Sequence, residues 1–165
     1  GNVIARRFAA LGFEVRGYAR TPRSIEGVAT FAGSDRLAAF ADGLDIVVSV
    51  LPLTPETTGI MNAGFFAMLA DGAFIINGGR GPQVDDDDLL AALGSGKLGG
   101  AALDVFTVEP LPQDHPFWTH PKVRVWPHVA AQTNATSAAE QVAAAITAMM
   151  DGSEPANRVD WSRGY

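Results

Sequence analysis

No cysteine occurs among the 165 residues, which excludes disulfides and thiolate metal ligands and is compatible with a reducing compartment. Charge is also scarce, at 18% of residues, and what there is leans acidic: 12 Lys and Arg against 18 Asp and Glu give a formal net charge of −6. Phosphate backbones want a basic face, so nucleic acid is not an expected partner. No apolar run approaches the roughly 20 residues needed to span a bilayer. The N-terminus also lacks the charged, apolar and small-residue succession of a signal peptide. The expectation is a cytoplasmic protein with no membrane partner. What the chain does have is apolar mass, 47% of residues, enough for a hydrophobic core.

Strand-like and helix-like segments alternate along the chain, the pattern of a parallel α/β sheet with helices on both faces. Ile4, Phe8 and Leu11 repeat at helical spacing and Gly12 supplies a stop. Phe13 to Tyr18 reads as a strand, and Val28 to Phe31 as a shorter one. A helix that Ser34 could cap and Gly43 would end follows. Ile46 to Leu51 is a continuous apolar run of strand length, as a buried parallel strand requires. Ala73 to Ile76, Ala101 to Leu103 and Val123 to Trp126 continue the theme. Asp85 to Asp88 precede Leu89, Leu90 and Leu93; acidic residues suit the positive end of a helix. One short acidic run offers no second ligand cluster, so no metal site is expected. Pro110 to Pro121 reads as an ordered proline-rich loop. Ser137 and Glu140 suggest a capping box for a long helix with a buried stripe of Ala138, Val142, Ile146 and Met149. Gly152 would end it, and a polar tail runs from Glu154 to Tyr165.

Three short motifs sit at the ends of successive expected strands: Asn77-Gly78-Gly79-Arg80-Gly81, Leu103-Asp104-Val105-Phe106-Thr107-Val108-Glu109-Pro110, and Trp126-Pro127-His128-Val129-Ala130-Ala131. A guanidinium such as Arg80 can hold a carboxylate and polarise a carbonyl. An imidazole such as His128 can give up a proton near neutral pH, and a carboxylate such as Glu109 can keep that imidazole charged. Glycines beside Arg80 let backbone approach a ligand closely. His115 and His120 lie in the proline-rich loop and read as structural.

The opening Gly1-Asn2-Val3-Ile4-Ala5 looks like the third glycine of a dinucleotide-binding turn and the helix behind it, with no strand and no earlier glycines in front. About 20 residues after such a turn comes the position that selects the adenosine ribose. Here it falls on Arg20-Thr21-Pro22-Arg23, two cations and a hydroxyl suited to a 2′-phosphate.

Taken in order, these motifs, with Leu51-Pro52-Leu53-Thr54-Pro55-Glu56-Thr57, the Glu-Pro-Leu-Pro ending at Pro112, and the terminal Val159-Asp160 and Arg163-Gly164-Tyr165, resemble the D-isomer-specific 2-hydroxyacid dehydrogenases. Within them the chain is similar to the glyoxylate/hydroxypyruvate reductase A branch. The resemblance implies a doubly wound parallel sheet, a Rossmann-type nucleotide-binding domain over residues 1–133 lacking its first strand. Residues 134–165 would be a helix and tail returning to an absent substrate domain. It implies Arg80, Glu109 and His128 as the catalytic set. Gly1, Arg20, Thr21, Arg23, Leu51, Pro52, Thr57, Gly79 and Asp104 would then serve the cofactor, Asp104 through the nicotinamide carboxamide. NADP(H) is the preferred cofactor and NAD(H) a possible one. The substrate would be a small 2-keto or 2-hydroxy acid, and the assembly a homodimer through Leu111, Phe117 and Trp118. The expected activity is reduction of glyoxylate or hydroxypyruvate, with the truncated chain inactive alone. The alternatives are a non-enzymatic dinucleotide-sensing scaffold and a folded dimerisation remnant.

Overall fold

In the computed structural model, which describes residues 1–160, the alternation becomes six parallel strands and five α-helices among the described residues. Helix α1 (Asn2–Ala10) leads to β1 (Arg16–Ala19) and β2 (Ala29–Ala32). Then come α2 (Leu37–Ala41), β3 (Ile46–Ser49), α3 (Ala63–Met68) and β4 (Ala73–Asn77). The order closes with α4 (Asp86–Ser95), β5 (Leu98–Leu103), β6 (Val123–Val125) and α5 (Ala135–Met150). The first strand starts later than expected. Phe13 does not join it but meets Phe8 edge-on at 5.3 Å, closing the turn after α1.

The strands form two sheets, β1-β2 and β3-β4-β5-β6. Both sheets are parallel, and the larger one runs in chain order as one half of a doubly wound sheet does. Arg16 on β1 ties the smaller sheet to α2, its Nη1 donating to the carbonyls of Asp42 at 2.8 Å and Phe40 at 3.3 Å.

The larger sheet has two unlike faces, because side chains alternate along a strand. Val47, Ala73, Ile75, Ala101, Leu103 and Val123 point to one face and form the core with Phe65, Phe66, Leu89 and Leu93 from α3 and α4. On the other face Ile46, Phe74 and Ile76 remain exposed. The expected cover of helices on both faces is thus found on one.

Helix α5 corrects two further expectations. Its N-cap is Asn134, whose Oδ1 accepts from Ser137 N at 3.0 Å, so Ser137 lies inside the first turn. No residue of α5 is buried, and the stripe read as core is exposed: Val142 at 59%, Ile146 at 53% and Met149 at 69%. The apolar spacing was correctly seen, but nothing among the described residues covers it. Helix α3 had no counterpart in the sequence reading; Asn62 caps it, accepting from Phe65 N at 3.1 Å. The aspartate run sits as the macrodipole favours. Asp85 caps α4 by accepting from Asp88 N at 3.0 Å, and Asp88 Oδ2 accepts from Ala63 N at 2.8 Å.

Candidate active site

The parallel register ends β4, β5 and β6 together: Asn77 pairs with Leu103, and Leu103 with Val125. The three motifs therefore leave the sheet side by side at its carboxyl edge, where open α/β sheets gather their ligands. Each is then held by a buried polar side chain.

At the end of β4, Asn77 is 1% exposed; its Oδ1 accepts from Gly79 N and its Nδ2 donates to the carbonyl of Arg80, both at 3.0 Å. Gly81 must be glycine. A Cβ there would lie 1.9 Å from the carbonyl carbon of Phe106 and 2.3 Å from Thr107 N. That contact presses the Arg80 loop against the segment bearing Glu109. Arg80 itself is exposed, with Nη1 donating to the carbonyl of Gly79 at 2.7 Å.

At the end of β5, Asp104 is 7% exposed and organises the third motif. Its two carboxylate oxygens accept from Val129 N at 2.8 Å and Ala130 N at 2.9 Å, while its carbonyl accepts from His128 N at 2.8 Å. These bonds hold His128 at φ +55°, in the left-handed region that non-glycine residues seldom occupy. Thus positioned, His128 Nδ1 lies 2.8 Å from Glu109 Oε2, and Phe106 N donates to Glu109 Oε1 at 2.9 Å. The hydrogen bond from His128, the Phe106 amide and then the nearby charges of His128 and Arg80 hold the Glu109 carboxyl below its usual range. A carboxylate only accepts, so Nδ1 carries the shared hydrogen and Nε2 is left for exchange with a ligand.

A cleft of about 460 Å³ adjoins these groups, lined by Val50, Leu51, Pro52, Leu53, Gly78, Gly79 and Arg80. Leu51, Pro52 and Gly79 from the expected cofactor set thus meet Arg80 in one hollow. Thr57 lies behind it and braces the loop: its Oγ1 donates to the carbonyl of Pro52 and accepts from Thr54 N, both at 2.8 Å. Gly1 is the N-cap of α1, and a Cβ there would come 4.0 Å from Val50 Cγ2 at the same cleft. Arg20, Thr21 and Arg23 are exposed beyond the end of β1. Arg20 is near enough to the loop after β3 to help keep the Glu56 carboxyl below its usual range, after the larger effects of the Thr54 hydroxyl and the Glu56 backbone amide.

Of the expected dimer residues, Leu111 and Phe117 are 8% and 1% exposed and pack on their own domain. Only Trp118 stays at the surface, with Nε1 donating to the carbonyl of Pro112 at 2.8 Å. Gln83 was missed by sequence reasoning. It is 0% exposed, and its amide joins the two loops that line the cleft. A glutamine two residues past the Arg-Gly pair carries no signal of its own, since only the fold shows what lies opposite.

Fold and site together define a nicotinamide-dinucleotide type of domain with an Arg/Glu/His cluster at its carboxyl edge. The chain belongs to the D-isomer specific 2-hydroxyacid dehydrogenases, whose NAD binding domain matches residues 1–130. It is 50% identical over all 165 residues to a glyoxylate/hydroxypyruvate reductase A of Serratia proteamaculans, and 47% identical to that of Yersinia enterocolitica. In each case it spans 53% of the relative's length. Among solved structures, it superposes with TM-score 0.96 on a D-isomer specific 2-hydroxyacid dehydrogenase of Xanthobacter autotrophicus in complex with NADPH and MES. The two are 47% identical, with 100% of this chain and 68% of the other covered. An NADPH-dependent glyoxylate/hydroxypyruvate reductase of Sinorhizobium meliloti, in complex with NADP and sulfate, gives TM-score 0.94 at 42% identity, covering 100% and 54%. Arg163-Gly164-Tyr165, part of the branch resemblance, lie outside the described residues.

Proposed function

We propose that the chain is the nucleotide-binding half of an enzyme that reduces a 2-keto acid, glyoxylate or hydroxypyruvate, with NADPH as preferred cofactor. The observation that carries this is the 2.8 Å His128–Glu109 pair at the carboxyl edge of the sheet, close enough to Arg80 for its charge to act on Glu109. The cleft fits a flat cofactor ring beside a carbonyl, because aliphatic side chains and two glycines line it together with the Arg80 guanidinium, with no acid among them. Reduced nicotinamide would supply the hydride. Arg80 binds the keto acid and polarises its carbonyl. His128, charged, gives its Nε2 proton to the forming alkoxide, and Glu109 fixes the ring and favours its charged form.

Gly1, Leu51, Pro52, Thr57 and Gly79 would border the cofactor. Each Asp104 oxygen keeps one lone pair after its backbone bond, enough to accept from a carboxamide. Arg20, Thr21 and Arg23 would meet the 2′-phosphate, where an acidic residue would favour the unphosphorylated ribose. The exposed apolar side of α5 supports a return of residues 134–165 to a separate substrate domain, which would complete the carboxylate site. A cytoplasmic homodimer is part of the same proposal. The test is NADPH consumption by the longer protein containing this chain, with glyoxylate and hydroxypyruvate. Absence of turnover refutes it, and tight cofactor binding without turnover favours the sensing scaffold.

A further inference from the structure

We infer that Gln83 is a positioning residue that locks the Arg80 loop to the cofactor-side loop at Leu51 and Pro52, and so couples occupancy of the two sides of the cleft. This rests on the reductase function proposed above. β3 and β4 pair as far as Ser49 with Asn77, and their ladder stops there. Beyond that point the two loops diverge to form the cleft, and the Gln83 amide spans them. Its Nε2 donates to the carbonyls of Leu51 at 3.0 Å and Pro52 at 3.1 Å. Its Oε1 accepts from Arg80 N at 3.0 Å and from Ser49 Oγ at 3.4 Å. Two donors and two lone pairs are the whole capacity of an amide, and all four are used.

Gly79 makes room for this bridge. A Cβ on it would stand 2.4 Å from Gln83 Oε1 and 3.0 Å from the Leu51 carbonyl oxygen. A glutamine at 83 and a side chain at 79 are therefore mutually exclusive in this geometry. A displacement of Leu51 or Pro52 by a ligand is passed through one buried side chain to the backbone of Arg80. Gln83 touches neither substrate nor cofactor; it sets the distance between the groups that do.

The test uses the longer protein containing this chain, with oxalate as an unreactive mimic of the keto acid. In the wild type, saturating NADPH should tighten oxalate binding about fivefold or more, the usual size of coupling between sites. Gln83→Met preserves bulk and removes all four bonds. It should bring the enhancement close to one and raise the glyoxylate KM more than it lowers kcat. The pH–rate profile should stay in place, because the His128–Glu109 pair is not touched. Gln83→Glu keeps the acceptor for Arg80 N but loses both donors to Leu51 and Pro52, so it too should lose the coupling; it carries the test if Gln83→Met fails to fold. No enhancement in the wild type, or an undiminished one in a folded Gln83 variant, overturns the inference. A wild type that reduces neither keto acid refutes the reductase function instead. Gln83 is then judged by exchange of the Arg80 amide, whose N–H Gln83 Oε1 accepts; it must quicken in Gln83→Met, and an unchanged rate overturns the inference.

Discussion

His128 occupies a left-handed backbone conformation that costs on the order of 1–3 kcal/mol in a non-glycine residue, and three backbone N–H bonds to Asp104 hold it there. Such rigidity suits the proposed proton transfer, since an imidazole delivers a proton only from a fixed place. His128→Asn should reduce keto acid reduction by about 10²-fold or more while leaving cofactor affinity in place. Stopped-flow turnover together with fluorescence titration separates the two effects. For Glu109 the sign of the pH effect follows from its depressed pKa. A carboxyl whose folded pKa is lowered adds stability above its unfolded pKa and loses it as pH falls through the folded value, so the pair is intact across the neutral range. Glu109→Gln removes the charge that favours imidazolium, and the alkaline limb of kcat/KM for reduction should move to lower pH. An unmoved limb would show that the pair does not set the protonation of His128. At the adenosine end, Arg20→Asp should erode the preference for NADPH over NADH, read as the ratio of kcat/KM values.

The loops after β4, β5 and β6 work only because adjacent parallel strands end in register, and glycine allows them to touch. Gly81→Ala places a Cβ 1.9 Å from backbone of Phe106, where no side-chain rotation relieves it. Overpacking of this kind costs about 1–3 kcal/mol, and denaturant midpoints should fall accordingly, with a larger loss of kcat/KM as Arg80 leaves Glu109. An unchanged midpoint would mean that the two loops part freely. The succession of strands and the Arg80, Glu109 and His128 motifs at their ends were legible in sequence, because buried parallel strands are largely apolar runs and the motifs close them, whereas the pairing order of the strands came with the structure. Helix α3 was not legible: Ala63–Met68 is six residues, too short for a helical period to stand out from a buried run. Ser137 and Glu140 have the spacing of a capping box, yet Asn134 takes the cap because its side chain reaches Ser137 N first. Leu111 and Phe117 looked like interface residues from their loop context, but burial depends on what packs beneath a loop, which composition does not reveal. Gln83 was invisible for the same reason, its four partners being spread over Ser49, Leu51, Pro52 and Arg80.

Apolar surface is distributed unevenly over the molecule. One face of the larger sheet shows Ile46, Phe74 and Ile76, α5 shows Val142, Ile146, Met149 and Met150, and α1 shows Val3 and is followed by exposed Leu11 and Phe13. Exposed groups of this kind mark contact surfaces. Among the described residues β1 and β3 each pair on one side only, and an open strand edge invites further pairing. The 165-residue chain in isolation should therefore associate in solution, with a dimer as the smallest species, and light scattering should record a mass at least twice that of the monomer. A stable monomer would mean that these surfaces close over one another. Cofactor binding by the same chain should be weak. Gly1 caps α1 without a side-chain hydrogen bond, so the isolated 165 residues offer a pyrophosphate only the backbone N–H groups of the first helical turn. The Arg20–Arg23 turn and the cleft at Leu51 would then hold only the two ends of the dinucleotide. Titration with NADPH should give saturation only well above the micromolar range, and the longer protein containing this chain should bind more tightly. Micromolar binding by the isolated chain would place the main anchor at the arginine turn, and Arg23→Ala would then abolish it.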